Sequence, residues 1–320
     1  MQTISAMEAI GQALSEEMRR DQRVVMFGEG VATKRVDLVK EFGDKRVRNT
    51  PLAEGIIAGT AAGAAATGLR PIIDLLFAPF ICFSMEEIIN SAGKLRYISG
   101  GQFSFPLVAI SMTGCGWTVG AQHNQNIEAW FVHSPGLKVV MPSNPADFKG
   151  LLKSAIRDEN PVMYFIDMPL LQSSGEVPEG EHVVPIGQAA TCRTGSDVTL
   201  ISYAKMVHTC VKAGEALAEL GISAEVIDLR SLKPYDEEAV LASARKTGRV
   251  IVVHEASRTC GVGAEIAATV AEKAFDALKG PVIRIAGPDA PAPSSYALEQ
   301  AFLPQPESIV EAARVLLGKA

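Results

Sequence analysis

Short runs of Val, Ile, Leu and Phe alternate along this chain with stretches whose apolar residues recur at helical spacing. Residues 5–20 carry Ala6, Ile10, Ala13 and Leu14 on one helical face, and "RVVMFGEG" follows as an apolar strand closing in glycine. The pattern then recurs as a helix at 54–67, a strand "RPIIDLLF", a helix at 84–97, strands "FPLVAIS" and "GLKVVMPS", a helix at 145–157 and a strand "PVMYFID". Strands that are apolar throughout need cover on both faces, which a parallel sheet flanked by helices provides.

After Met168 the text changes to "PLLQSSGEVPEGEHVVPIG", rich in Pro, Gly, Ser and Glu, which reads as a linker. A second alternating set follows: "SDVTLISYA", a helix at 205–220, "ISAEVIDLR", a helix at 236–247, "RVIVVHEA", a helix at 263–278, "PVIRIAG" and a last helix at 306–317. A chain of 320 residues exceeds the usual single domain. The reading is therefore α/β with two doubly wound domains, 1–168 and 191–320, joined by a linker at 169–190. No period of 20 to 50 residues repeats, which removes a solenoid.

Thirty Lys and Arg stand against 36 Asp and Glu, a net charge of −6, and no cluster of basic side chains is placed to neutralise a phosphate backbone. Nucleic acid is not an expected partner. Acidic residues interrupt the N-terminal stretch where a signal peptide needs an apolar core, and no apolar run is long enough to span a membrane. The expectation is a cytoplasmic protein without a membrane association. Five cysteines, widely spaced and without a CxxC pair, argue against a disulfide framework or a zinc site, and the five histidines form no HxxxH or HExxH arrangement.

An α/β sheet invites a nucleotide reading, but "GEGVAT" and "GVGAEI" lack the third glycine of the dinucleotide fingerprint, and no GxxxxGK[ST] occurs. They read as ordinary strand-to-helix turns. A different constellation draws attention in "RVRNTPLAEGIIAGTAAGAAATG", where the single carboxylate of Glu54 opens a helix of Gly, Ala, Ile and Thr. Pro51 and Glu54 are also what a helix start favours, so a capping charge accounts for Glu54 as readily as a functional one. Small residues in such density point to a helix packed closely against neighbours on more than one side, and a carboxylate at its mouth could share a proton with a ligand.

His123 lies in "TVGAQHNQN" among the amides of Gln122, Asn124, Gln125 and Asn126, just before a helix from about Ile127. A histidine so placed can donate a proton or a hydrogen bond to an oxyanion, or be a surface residue. His133 reads as structural and His254, in "VVHEA", as a packing or interface residue. "IIDLLFAPFICF" ends an apolar strand in Phe77, Phe80 and Phe83. Most such stripes are core, yet the C-terminal end of a parallel strand is where α/β sheets bind ligands, and a flat heterocycle would find a wall there.

Taken together, "RVRNTPLAEGIIAGTAAGAAATGLRPI", "INSAGKLRYISGGQ", "PGLKVVMPSNPADFKGLLKSAIRDENPV", "AEVIDLRSLKP" and "KTGRVIVVHEA" resemble the β subunits of the thiamine-diphosphate-dependent 2-oxo acid dehydrogenases: pyruvate, branched-chain 2-oxo acid and acetoin dehydrogenases. The similarity runs over nearly the whole chain. It implies a transketolase-like pyrimidine-binding domain followed by a transketolase C-terminal-like domain. It also implies that Glu54 bonds a ring nitrogen of the cofactor's aminopyrimidine and so activates it, with the small-residue helix packed at a subunit interface. Glu29, Leu76 and Phe80 match cofactor-binding positions, and His123 matches the histidine that faces the substrate carboxylate. Leu107, Ala155, Asp158 and Asn160 match positions whose carbonyls hold a structural potassium ion in some members.

The same resemblance explains the missing phosphate loop. The family's diphosphate and Mg2+ are held mainly by a GDG motif on an α subunit, and this chain has no GDG. It implies half of an active site, completed in an α2β2 heterotetramer, with a lipoyl-bearing acyltransferase core as a further partner and a small, pyruvate-like 2-oxo acid as substrate. The acyl unit would pass to lipoyl-lysine or to a carbonyl acceptor. The family's usual HSQ is here His123-Asn124-Gln125, its "GEDVG" is Gly28-Glu29-Gly30-Val31-Ala32, and its acidic-aromatic pair is Ala78-Pro79-Phe80. These departures keep an acyloin-forming carboligase or an acetoin-cleaving enzyme open as alternatives. A non-catalytic stabilising subunit is the alternative from another class.

Overall fold

The computed structural model describes residues 1–319. Its strands, in chain order, are β1 Gln2–Ser5, β2 Val24–Glu29, β3 Val47–Thr50, β4 Arg70–Phe77, β5 Val108–Thr113, β6 Lys138–Val140, β7 Val162–Asp167, β8 Ser174–Val177, β9 Ala190–Arg193, β10 Val198–Ser202, β11 Ala224–Asp228, β12 Ser231–Lys233, β13 Val250–Ser257 and β14 Ile283–Gly287. Seven form one sheet in the order β12-β6-β7-β5-β4-β2-β3, parallel but for β12. Five form a second, β14-β13-β10-β11-β9, parallel but for β9. Two α/β domains therefore lie in one chain, and helices connect their parallel strands as such crossovers require.

The apolar runs are buried as expected: β7 and β11 expose no residue, because each is central in its sheet. One apolar cluster fills the first domain and continues into the second through Ile201, Tyr203, Ile227 and Leu229, and another packs Val198, Leu200, Val226 and Ile251 under the helix Met206–Glu219. Ser5 caps the helix Ala6–Arg20 in a reciprocal box with Glu8, and Asn144 caps Pro145–Arg157 through the Asp147 N–H at 3.0 Å. These two helices lie against each other and are tied by ion pairs from Lys149, Lys153 and Arg157 to Glu16 and Glu17.

Three features differ from the sequence expectation. Residues 169–190 include β8, which pairs antiparallel with β1, so this stretch is fastened to the chain's start. The short strand β12 crosses from the second set of elements to close the edge of the first sheet beside β6. Finally, residues 84–97 are not one α-helix. A 3₁₀ segment Ala78–Ser84 is followed by a π-helical turn Glu86–Ala92 and a short helix Leu95–Ile98. Asn90, Ser91 and Gly93 are weak α-helix formers, so packing sets the winding here.

That packing comes from the small-residue helix Glu54–Ala66, which lies against both the 3₁₀ and the π segments. A Cβ at Gly55 would stand 2.8 Å from the Phe83 carbonyl, so the approach needs glycine. Only one side is covered: Ile57, Ala58, Ala61, Ala62 and Ala65 are buried, while Thr60 and Gly63 are open and Ile56 is 73% exposed. The expected burial on more than one side is thus met on one side within the single chain.

Candidate active site

Parallel sheets bind ligands beyond the C-terminal ends of their strands. At the end of β4, Leu76 takes a positive φ of 60°, held by its N–H bond to Asp74 Oδ1 at 2.9 Å. Such strain in a leucine is uncommon and marks the chain's turn into the 3₁₀ segment. Phe77 and Phe80 follow, their rings edge-on with centroids 6.1 Å apart. Beyond β5 the loop rises to a one-turn helix Ala121–Asn124, whose His123 ring sits edge-on to Phe77 at 4.7 Å and to Phe80 at 5.2 Å. The structure thus brings Phe80 and His123 together, with Leu76 four residues before Phe80.

Beside them opens a cavity of about 690 Å³ between the domains, lined by Phe80, Phe83, Gln122, Asn126, Ser257 and Asp289. Its walls combine aromatic rings with amides, a surface that can stack a flat ring and orient a small polar substrate. Glu54 does not line this cavity. It is the first residue of its helix, half-buried, and the 3₁₀ segment bearing Phe80 lies between its helix and that of His123. Glu29 ends β2 at the same sheet edge, half-buried, with Lys34 Nζ donating to its carbonyl at 3.1 Å.

Comparison with known proteins decides the family. The transketolase pyrimidine-binding domain model matches residues 2–172, and the transketolase C-terminal domain model matches residues 187–309. The chain is 42% identical to acetoin:2,6-dichlorophenolindophenol oxidoreductase subunit beta of Bacillus subtilis, covering 99% of this chain and 98% of that one. It is 42% identical to the pyruvate dehydrogenase E1 component subunit beta of Porphyra purpurea, covering 100% and 98%. It is 43% identical to the 2-oxoisovalerate dehydrogenase subunit beta of Bacillus subtilis, covering 99% of each. The chain belongs to this family, the β subunits of thiamine-diphosphate-dependent 2-oxo acid dehydrogenases. Among solved structures, a split-gene transketolase described as an inactive β4 tetramer superposes with a TM-score of 0.82 at 26% identity, covering 98% of both chains.

The positions that the resemblance assigns to potassium each have hydrogen-bond partners of their own. The carbonyl of Leu107 accepts the Val162 N–H at 2.8 Å, that of Ala155 accepts Asp158 N–H at 3.3 Å, and that of Asp158 accepts Arg70 Nη1 at 3.1 Å. Asn160 closes the turn by donating to Asp158 Oδ1 at 2.9 Å.

Beneath the family's His123 loop lies a buried ionic cluster. Lys205 Nζ meets Glu255 and the Cys115 carbonyl, and stands 3.8 Å from Asp167 Oδ1; Glu255 Oε1 in turn accepts the Cys115 N–H. Burial drives the Asp167 carboxyl up, against the pull of Lys205. Burial pulls Lys205 down, but Asp167 and Glu255 outweigh it and hold the ammonium above its ordinary value. Nearby, Glu128 accepts the Tyr203 hydroxyl at 2.6 Å, and burial pushes its carboxyl up to about 7. His254 is fully buried and stacked on Tyr203, with burial pushing it down to about 4, so it is a packed neutral imidazole.

Sequence reasoning missed Lys205, Asp167 and Glu255. The signal available was an acid closing an apolar strand: Asp167 ends "PVMYFID" and Glu255 sits near the end of "RVIVVHEA". All five cysteines are free, with Cys115 and Cys210 buried. No helix among the described residues is long and apolar enough to cross a membrane.

Proposed function

We propose that this chain is the pyrimidine-binding half of an enzyme that decarboxylates a small, pyruvate-like 2-oxo acid and passes the acyl unit to lipoyl-lysine or a carbonyl acceptor. The observation that carries the reading is the grouping of Leu76, Phe80 and His123 at one sheet edge, beside a cavity walled by aromatic rings and amides. When bound, thiamine diphosphate supplies a nucleophilic carbon that adds to the 2-oxo group and accepts the electrons released with carbon dioxide.

The chain's residues take these roles in the proposal. Glu54 holds a proton against a pyrimidine ring nitrogen from its carboxyl oxygen, and Leu76 and Phe80 form the apolar wall that orients the ring and excludes water. Glu29, at the end of β2, would be a further contact to the cofactor. His123, held by two phenylalanine rings, donates to the substrate carboxylate, and Gln122 and Asn126 supply neutral donors around it. We assign Mg2+ mainly to the α subunit, since this chain carries no GDG run. Potassium is proposed at the carbonyls of Leu107, Ala155, Asp158 and Asn160; the first three each carry one hydrogen bond and keep a lone pair.

The functional division follows residues 1–168 for the pyrimidine-binding part, 169–190 for the tether and 191–320 for the C-terminal part. The open stripe of Leu52, Ile56, Thr60 and Gly63 is the proposed seat of the partner in an α2β2 heterotetramer, because exposed apolar side chains beside a helix of small residues favour close docking. An acyltransferase core is the further partner on the lipoyl reading. Five unpaired cysteines accord with the cytoplasm as compartment. The carboligase or acetoin-cleaving reading is favoured by Asn124, a buried departure beside His123, and by similarity to an acetoin oxidoreductase subunit. A purely stabilising subunit would have no need of both Glu54 and His123.

Glu54→Gln is the direct test. In the complex with an α subunit it should lower carbon dioxide release by about 100-fold or more, while assembly with the α subunit is retained. Full activity in this variant would overturn the assignment.

A further inference from the structure

Glu299 is completely buried and makes no ion pair among the described residues. It sits on the short helix Tyr296–Phe302 of the second domain, which turns its apolar side chains the wrong way round: Tyr296 is 69% and Leu298 61% exposed, while the acid points inward. Burying a carboxylate is costly unless its bonds are needed. Those bonds all cross to the first domain. Oε1 accepts from Asn124 Nδ2 at 2.8 Å and from the Thr118 N–H at 3.3 Å, whereas Oε2 and Asn124 Oδ1 have no hydrogen-bond partner.

Both donors belong to the His123 loop. Asn124 follows His123 directly, and both N–H groups go to the Gly120 carbonyl, at 3.0 and 3.1 Å. The Asn124 carbonyl accepts the Gly114 N–H at 3.2 Å, and Thr118 holds a positive φ of 53° under the same carboxylate. Phe77 and Phe80 meet the His123 ring from the first domain, and Glu299 of the second holds the side-chain amide of the next residue, Asn124, and the Thr118 N–H.

We infer that Glu299 is a positioning residue: through Asn124 and Thr118 it clamps the His123 loop to the second domain and fixes the imidazole against Phe77 and Phe80. This rests on the reading of His123 as the group that faces substrate. Asn124 gives the clamp its reach, since the serine usual at this place in the family ends one bond sooner and would leave Glu299 without its closest donor. Glutamine at 299 keeps an acceptor oxygen for both donors while removing the charge, so a clamp that acts by hydrogen bonding survives that substitution.

Two readouts test this in the complex with an α subunit, thiamine diphosphate and magnesium. In crystal structures, Glu299→Ala should displace the His123 ring from its 5.2 Å station at Phe80 and Glu299→Gln should restore it; an unmoved ring in the alanine variant overturns the clamp. In carbon dioxide release from pyruvate, Glu299→Ala should lower kcat by about tenfold with a smaller change in KM, and Glu299→Gln should stay within about twofold of the parent. On a His123→Ala background the same alanine substitution should cost less than about twofold. Equal losses on both backgrounds, or glutamine as damaging as alanine, overturn the proposal. Full activity in His123→Ala alone refutes the role of His123, and ring position then decides the clamp by itself. If Glu299→Ala does not assemble, Asn124→Ser, which removes one donor only, takes its place in both readouts.

Discussion

Replacing Lys205 by methionine removes the one cation among the described residues that pairs with Asp167 and Glu255, two carboxylates buried beneath the His123 loop. At 3.8 Å and an effective dielectric near 20, the Lys205–Asp167 attraction alone is about 4 kcal/mol. Stranding one side of a buried ionic cluster costs about 3 to 5 kcal/mol, so Lys205→Met should lose about that much stability at pH 8. The pH dependence has a definite sign. Lys205 is held above its ordinary value, so its stabilisation is fully present below 10.5 and does not change between pH 5 and 8. Asp167 is driven upward by burial, so the folded state binds its proton more tightly and stability rises as pH falls toward the ordinary carboxylate range. Loss of Lys205 moves Asp167 further up, and the deficit should shrink on acidification to pH 5.5. Urea unfolding at both values, followed by fluorescence of Trp117 and Trp130, measures it. Adding Asp167→Asn and Glu255→Gln should recover most of the loss. A deficit below about 1 kcal/mol at pH 8, the scale of an exposed pair, or one equal at both pH values, would mean that Lys205 does not hold a buried ionic cluster together.

Burial likewise pushes Asp228 up to about 7 from 3.8, against bonds from Ser143 and the Arg230 N–H. Linkage then predicts that this one group costs about 3 kcal/mol of stability between pH 5 and pH 8, and Asp228→Asn should flatten the parent's profile by that amount in the same urea titration. Gly136 has φ of +89°, and a Cβ there would fall 1.8 Å from the Gly93 carbonyl oxygen. Gly136→Ala should therefore lose about 2 kcal/mol or more, and an unchanged urea midpoint would contradict that geometry.

Much of this fold was legible in the chain because its central strands are apolar without interruption. "PVMYFID" and "AEVID" could only be buried strands, and they are. Short or polar strands were not legible: "QTIS", "SGEV" and "SLK" become β1, β8 and β12 only because distant partners satisfy their backbones. The π turn at Glu86–Ala92 was hidden for a similar reason, since its winding answers to the small-residue helix packed on it. Within the site, Leu76, Phe80 and His123 carried local signals in an aromatic stripe and a run of amides. Glu299 carried no such signal, because an acid between Leu298 and Gln300 reads as a solvent-facing charge and its two donors, Thr118 and Asn124, come from a loop far away in the sequence. Lys205, Asp167 and Glu255 are far apart in the sequence, and only the docking of two domains brings them together.

On the proposed reading this chain supplies half of a thiamine-diphosphate site. Carbon dioxide release from pyruvate and 2-oxobutyrate, with thiamine diphosphate and magnesium, measured for this chain alone and for its complex with an α subunit, tests it most directly. Turnover is expected in the complex and none from the single chain. A well-assembled complex that releases carbon dioxide from neither substrate, or a single chain as active as the complex, would contradict it.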